Sequence, residues 1–361
     1  MVPLKITIVG AGKIGVALAA TLAGAPECSV EVIDRSEDAL DQLRAMRIDV
    51  SSRLFRHPDE LKTILSGRDV AVAAVPESAG KAVAMAAAQA NVHYLDFNGA
   101  RPELRESLQD LSTRRAIFNG CGVSPGLIAN IAWNLLARCS AVTDLVIRVG
   151  SIPRYPTNRL GYGQIWNIDG LIDEYTRPSA AIREGNALTL SPLEDHRTLS
   201  IDGVGYEEFI TAGGIEDLSI FSEFSPKNIT FKTIRYPGHL DYMRFLLDDL
   251  GLRNRRDMLR SLLCNGLPVI EDDVLMLMVT ARGVKDHLPT EKTHSLRFSP
   301  SRSSNGFNAL VSVATGYAAT LLSLLQQGQI PSRGFVEHYR LDAEALLSAP
   351  YLKPLLDLDW K

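Results

Sequence analysis

A strand-like run, Leu4, Ile6, Ile8 and Val9, empties directly into Gly10-Ala-Gly12-Lys-Ile-Gly15, and an apolar helical segment follows from Val16 to Leu22. This succession of strand, glycine turn and helix constrains the fold more than any other feature of the chain. Gly10 permits a tight turn, Gly12 lets the backbone approach a pyrophosphate, and Gly15 lets the helix lie close on the strand. The helix N-terminus then turns unpaired N–H groups toward an anion. Such turns are common, so the context matters: a second strand, Val30-Glu-Val-Ile33, ends in Asp34, twenty-four residues after Gly10. A carboxylate at that point accepts hydrogen bonds from both ribose hydroxyls of an adenosine and repels a 2′-phosphate. The expected cofactor is therefore NAD, and Arg35, directly after the aspartate, leaves NADP possible. The alternative is a structural glycine turn beside a surface aspartate.

The same grammar runs on to residue 126. Helical stretches Glu37–Arg47, Asp59–Ser66, Ala79–Ala90 and Arg101–Thr113 alternate with strand-like Val70–Val75, Val92–Leu95 and Ala116–Phe118. No hairpin signal interrupts them, which predicts an α/β fold with a parallel, doubly wound sheet of the Rossmann type. Such sheets bind ligands beyond the carboxyl ends of their strands. The candidate cofactor-binding residues are accordingly Gly10, Gly12, Lys13, Ile14, Gly15, Asp34, Arg35, Val75, Pro76, Asp96 and Asn98. Asp96 can position an amine or the nicotinamide ribose, or it can cap the helix expected near Arg101.

Beyond Gly126 the pattern changes. A helix, Leu127–Cys139, leads to a strand, Thr143–Val149, and then to an irregular Pro/Gly/Tyr-rich stretch from Ser151 to Asn167. Thr198–Ile201, Thr230–Ile234 and Val274–Ala281 read as strands, among helices such as Leu240–Leu250 and Arg255–Leu263. This mixture predicts a second, α+β domain with an open mixed sheet. The small apolar helix Phe307–Gln327 is expected to return to the first domain. The expected division is 1–124 plus 306–361 for the dinucleotide-binding domain and 125–305 for a substrate-binding and dimerisation domain.

With 38 basic against 42 acidic residues and no long basic run, the chain offers no footprint for nucleic acid. The N-terminus lacks the layout of a secretory signal, and Pro76, Glu77 and Lys81 break the alanine-rich stretch too early for a bilayer span. No membrane association and a cytoplasmic location are expected. The four cysteines, Cys28, Cys121, Cys139 and Cys264, are far apart, and neither they nor the seven histidines show metal-ligand spacing, so no metal is expected.

Four further stretches carry a family likeness: Gly122-Val-Ser-Pro-Gly-Leu-Ile-Ala-Asn130; Asp169-Gly-Leu-Ile-Asp-Glu-Tyr175; Phe209-Ile-Thr-Ala-Gly213; and Lys232-Thr-Ile-Arg-Tyr-Pro-Gly-His239. With the N-terminal motif and the late Thr315-Gly-Tyr-Ala318 helix, the chain resembles the saccharopine dehydrogenase superfamily along nearly its whole length, most closely the lysine 6-dehydrogenase branch. The block from Lys232 to His239 is the most specific part. The resemblance implies an NAD(P)-dependent oxidoreductase acting on a C–N bond of an amino acid or amine, and a homodimer formed through the second domain's sheet. The departures concern the substrate: relatives often carry Gly-Gly-Leu-Pro where this chain has Gly150-Ser-Ile-Pro153, and Thr-Asp-Gly where it has Thr211-Ala-Gly213.

Oxidising an amine requires a neutral amine held near the nicotinamide, a group that takes its proton, and a fixed cation for the substrate carboxylate. Arg235 suits the carboxylate through two parallel hydrogen bonds, the alternative being a structural salt bridge. His239 is a candidate proton acceptor, unless it merely stands near a helix N-cap after Pro237-Gly238. Asp96 and Tyr162 are the other candidate catalytic groups. Thr211, Ser124 and Tyr175 are candidate substrate contacts, although a tyrosine is more often a packed ring with one satisfied hydroxyl. The leading expectation is oxidative deamination of the lysine 6-dehydrogenase kind. Its alternatives are reductive condensation to a saccharopine-like or carboxyspermidine-like product, and NAD(H) binding without turnover.

Overall fold

The computed structural model of the protein describes residues 3–99, 102–139, 141–285, 287–300 and 306–357. The chain forms two compact units, Met1–Leu127 with Val313–Pro354, and Ile128–Ser312 with Leu355–Lys361. The first carries a seven-stranded parallel sheet built from β1 (Leu4–Val9), β2 (Cys28–Asp34), β3 (Ser51–Leu54), β4 (Val70–Ala73), β5 (His93–Asp96), β6 (Ala116–Phe118) and the short strand Gly334–Phe335. The spatial order is Gly334–Phe335, β6, β5, β4, β1, β2, β3. The central strands read as unbroken apolar runs because both faces are covered: every residue of β4, and Ile6, Ile8 and Val9 of β1, is buried. Strand order reverses between β1 and β4, so the carboxyl ends of these strands flank the crevice where such sheets take ligands.

Three details of this unit depart from the pattern read in the sequence. The stretch expected as one helix to Thr113 is two pieces, Pro102–Ser107 and Gln109–Ser112, divided at Leu108, and its expected first residue, Arg101, lies outside the described residues. The edge strand β3 carries no apolar alternation that would announce it. The late helix, Ala309–Gln326, enters the unit at Val313 and buries Val313, Tyr317, Ala318 and Leu321. Its Gly316 permits close packing, since a Cβ there would lie 2.6 Å from the Tyr351 carbonyl oxygen.

The second unit holds an eight-stranded mixed sheet: β7 (Val142–Pro153), β8 (Ser179–Arg183), β9 (Asn186–Leu190), β10 (Arg197–Ile201), β11 (Val204–Ile210), β12 (Asn228–Arg235), β13 (Asp273–Lys285) and β14 (Leu288–Phe298). The main path is β10-β11-β12-β7-β13-β14, with β8 joining β12 to β9. Only β7 and β12 run parallel among the paired strands. β7 runs four residues beyond the expected Val149, because β13 pairs along it as far as Asp273 opposite Pro153. The helices Ile168–Thr176, His239–Arg244 and Arg256–Gly266 share an apolar core containing Leu171, Tyr175, Phe209, Leu240, Met243, Leu259 and Leu263. The helix expected to Leu250 is α-helical only to Arg244 and finishes as a π turn, Phe245–Asp249.

The segment after Pro354, expected with the dinucleotide-binding domain, groups with the second unit. Backbone bonds explain this: Ser299 N donates to Leu355 O at 3.1 Å, and Asp357 N donates to Arg297 O at 2.9 Å. Asn305, the expected boundary residue, lies outside the described residues.

Candidate functional site

At the end of β1 the three glycines have three different surroundings. A Cβ on Gly10, whose φ is 110°, would lie 2.3 Å from the Ala74 carbonyl oxygen, and one on Gly15 would lie 1.9 Å from Gly10 O. These two glycines are required by packing alone. Gly12 is different, because a Cβ there would meet nothing within 4 Å. It stands exposed at the N-cap of the helix Lys13–Ala23, whose first turn has neither a side-chain cap nor an acidic residue. The arrangement fits a pyrophosphate, which would supply the acceptor that the helix end lacks. Lys13 is exposed and Ile14 half-buried on the same turn.

Asp34 closes that turn from the neighbouring strand. Its Oδ2 accepts from Ala11 N at 2.6 Å and its Oδ1 from Ser36 N at 2.8 Å. Each oxygen keeps lone-pair capacity for a ribose hydroxyl, and Arg35 beside it is exposed. Val75, Pro76 and Asn98 lie at the ends of β4 and β5, and Asn98 Nδ2 donates to Val75 O at 3.2 Å.

Asp96 belongs to the same strand end but faces inward. It is 1% exposed, and its two oxygens accept from Gly120 N and Asn119 Nδ2, each at 2.8 Å. Burial pushes its pKa up to about 7 against the pull of these donors. The carboxyl therefore holds the loop that follows β6, with both its oxygens accepting in the protein interior. The Asn119 carbonyl on that loop also accepts from His338 Nε2 at 2.8 Å, while Tyr317 donates to His338 Nδ1 at 2.9 Å. Ser124 stands half-buried further along the loop.

The second unit gathers Tyr162, Tyr175, Arg235 and His239, residues up to 77 positions apart, into one buried cluster. Tyr175 ends the apolar stripe of the helix Ile168–Thr176, after Ile168, Leu171 and Ile172. Arg235 is the last residue of β12, and His239 opens the next helix after a turn at Gly238, whose φ is 92°. Glu207 of β11 fixes that helix start by accepting from Gly238 N at 3.1 Å and Leu240 N at 2.7 Å.

Hydrogen-bond direction through this cluster follows from its ends. His239 Nδ1 lies 2.8 Å from the Leu160 carbonyl oxygen, which can only accept, so Nδ1 carries the proton. Its Nε2 is then the acceptor for the Tyr175 hydroxyl at 2.9 Å, and the Tyr175 oxygen in turn accepts from Arg235 Nε at 3.0 Å. Burial, reinforced by the charge of Arg235, pushes the imidazole pKa down to about 3. His239 is thus neutral with both nitrogens engaged. In this arrangement it orients Tyr175, which orients the guanidinium.

Arg235 completes its contacts through Nη1 to Ile234 O at 3.0 Å and Nη2 to Glu174 Oε2 at 3.1 Å. The Tyr162 ring lies 4.8 Å from the guanidinium carbon, within cation–π range. The hydroxyls of Tyr162 and Thr211 are buried and have no hydrogen-bond partner among the described residues. Burial raises the Tyr162 pKa to about 12, so its phenol stays protonated as a donor. Thr211 follows β11 on the face of Phe209, which packs against Tyr175 and His239. Glu174 and Glu207 escaped the sequence reading. Glu174 stands beside Tyr175 in an expected motif, but nothing in the local pattern marks it as a partner of a residue 61 positions away.

Comparison with known proteins divides the chain once, near residue 120, and assigns Val313–Pro354 with the second part although it packs in the first unit. Residues 6–116 match the family model described as the saccharopine dehydrogenase NADP binding domain, and residues 122–357 match the saccharopine dehydrogenase C-terminal domain. The fold resembles saccharopine dehydrogenase (L-Glu forming) from Saccharomyces cerevisiae with a TM-score of 0.81 and 14% identity, covering 95% of this chain and 96% of that one. GenD2 from gentamicin A biosynthesis, in complex with NAD, gives a TM-score of 0.46 at 14% identity over 98% and 94% of the two chains. A myo-inositol dehydrogenase from Corynebacterium glutamicum gives 0.44 at 12% identity over 96% and 95%. The yeast enzyme shares the fold, and the other two are too distant to bear on it.

Proposed function

This chain belongs to the saccharopine dehydrogenase family, and from that premise we propose that it is an NAD(P)-dependent oxidoreductase acting on a C–N bond of an amino acid, by oxidative deamination of the lysine 6-dehydrogenase kind. The observation that carries the reading is Arg235, a buried guanidinium held in place by Tyr175 and lying against a carboxylate. A permanently charged, oriented fork of this kind suits recognition of an amino-acid carboxylate.

The chain's own residues divide the work as follows. Arg235 binds the substrate carboxylate, and the chain from Leu160 through His239 and Tyr175 fixes the direction of its guanidinium. The unpartnered hydroxyls of Tyr162 and Thr211 supply polar contacts that a bound amino acid satisfies. In the first unit Gly12 and the helix behind it hold the pyrophosphate, and Asp34 holds the adenosine ribose, which favours NAD. When bound, the nicotinamide accepts the hydride. The ammonium group gives a proton to solvent to become a neutral amine, loss of the hydride from its carbon leaves an iminium ion, and water adds to that ion, releasing ammonium and leaving an aldehyde.

The test is a screen for reduced-cofactor absorbance with lysine, ornithine, diamines and saccharopine, each offered with NAD and with NADP. Turnover of an amino acid together with loss of that turnover in Arg235→Ala is expected. Turnover of saccharopine alone would move the assignment to reductive condensation, and tight NAD binding without turnover of any amine would remove the enzymatic reading.

A further inference from the structure

Arg235 already holds a carboxylate. Its Nη2 is 3.1 Å from Glu174 Oε2, while Nε and Nη1 are committed to Tyr175 and the Ile234 carbonyl. The two partners differ in access: the Arg235 side chain is 3% exposed and that of Glu174 is 17% exposed. An incoming carboxylate therefore meets a guanidinium whose outward nitrogen is taken, and two ionised carboxylates on one buried cation repel each other strongly. We propose that Glu174 is a resident counter-carboxylate for the anchor and takes up a proton from solvent as the substrate carboxylate replaces it on Arg235. This inference rests on the reading of Arg235 as a carboxylate anchor. The exchange forms and breaks no bond beyond that O–H, and the substrate carboxylate stays ionised.

The surroundings suit the exchange. The groups facing Glu174 are Arg235 from β12, Tyr162 from the loop after β7, and Tyr175 on its own helix, with neutral His239 behind Tyr175 and Arg253 donating to the Tyr175 carbonyl oxygen. Arg235 is thus the one cation paired with the Glu174 carboxylate among the described residues. Burial pushes the Glu174 pKa up to about 7, against the pull of Arg235. Once a second carboxylate takes the cation, that pull is gone and the pKa rises further. Across the gap stands Gly213, with φ of 81°; a Cβ there would come within 3.3 Å of Glu174 Cγ, so the glycine leaves the side chain room to turn.

The sign of the pH dependence follows. Below pH 7 Glu174 already carries its proton and carboxylate affinity is flat. Above it each ligand bound draws in about one proton, and affinity falls about tenfold per pH unit. The experiment titrates the full-length protein with hexanoate, and with hexanamide as the uncharged control, by calorimetry in phosphate and in Tris at pH 6 and pH 8. Wild type is expected to take up close to one proton per hexanoate at pH 8. Glu174→Gln is expected to bind hexanoate without proton uptake and with the same affinity at both pH values, its melting curve serving as the folding control. Binding to wild type without proton uptake, or weakened binding to Glu174→Gln at pH 8, overturns the inference. Failure of hexanoate to bind wild type, or undiminished binding to Arg235→Ala, overturns the anchor itself and the inference with it.

Discussion

Tyr175 donates its one hydroxyl proton to His239 and accepts from Arg235, so deleting that oxygen breaks two buried bonds while leaving the ring in its apolar seat. One of the two bonds involves a charged donor, a class worth about 1.5–3 kcal/mol. Tyr175→Phe should therefore raise KM for an amino-acid substrate by about tenfold or more, equivalent to about 1.4 kcal/mol, and leave KM for NAD unchanged. Steady-state kinetics with both ligands varied checks this, and an equal change in the two KM values would point to a general loss of packing. At this scale the sequence shows which residue types are present but not their partners. Arg235 and His239 are legible because they are close together in a specific block. Their dependence on Tyr175, Leu160 and Glu174 is invisible, because each contact spans between 60 and 79 residues. Burial also changes what residue type suggests: the pKa of histidine lies near neutrality in water, and here burial lowers it to about 3.

At the scale of elements, the glycine turn separates into two roles. Gly10 and Gly15 sit where added atoms would overlap backbone oxygen, so Gly10→Ala or Gly15→Ala should lower thermal stability by several degrees, from about 1–3 kcal/mol of strain. Gly12→Ala should fold with a melting temperature near wild type and bind dinucleotide at least about tenfold more weakly, because its methyl occupies the space a pyrophosphate needs. Calorimetric melting and NADH fluorescence titration distinguish the two outcomes; equal melting losses in all three variants would refute the division. The turn and the strands around it are legible in sequence because strand, glycines and helix are consecutive. The hairpins of the second unit are less so. β8–β9 and β10–β11 close on Glu184-Gly185 and Asp202-Gly203, pairs with φ of 50° and 79° and of 51° and 77°. Asp202-Gly203 is a recognisable turn signal and β10 alternates Thr198-Leu199-Ser200-Ile201, so that strand is legible, whereas Glu184-Gly185 is not a favoured hairpin dipeptide and β9, with four of its five residues exposed, is not announced.

At the scale of the whole molecule, each unit buries ionisable groups of both signs, in different proportion. In the first, burial lowers the pKa of His93 to about 4, lowers that of His338, and raises that of Asp96 to about 7. In the second, it lowers His239 to about 3, raises Glu174 to about 7 and raises Asp273. A lowered histidine gives stability that is present above about pH 6.5 and lost on acidification, whereas a raised carboxyl gives stability present at low pH and lost as pH climbs through its folded value. In the first unit His93 and Asp96 oppose each other and in the second His239 and Glu174 do, which leaves the lowered His338 and the raised Asp273 to set the balance. Acidification from about pH 6.5 should therefore destabilise the first unit and stabilise the second. Scanning calorimetry at and below this pH, with limited proteolysis to identify which unit opens, reads the two directions, and a shift of both units the same way would contradict them. The two-unit plan itself was legible from the change of pattern after Gly126, while the assignment of the last residues depended on backbone pairing between segments more than 50 residues apart. The nesting of one unit inside the other has a consequence for how the protein is made. On the ribosome, the residues Ile128–Ser312 emerge in full while the first unit still lacks Val313–Pro354, which supplies an edge strand, the buried half of a helix and His338. The dinucleotide-binding unit begins synthesis first and completes its core only after the segment inserted in it has emerged. Ligand added during translation should accordingly find no finished pyrophosphate site until Val313–Pro354 has emerged.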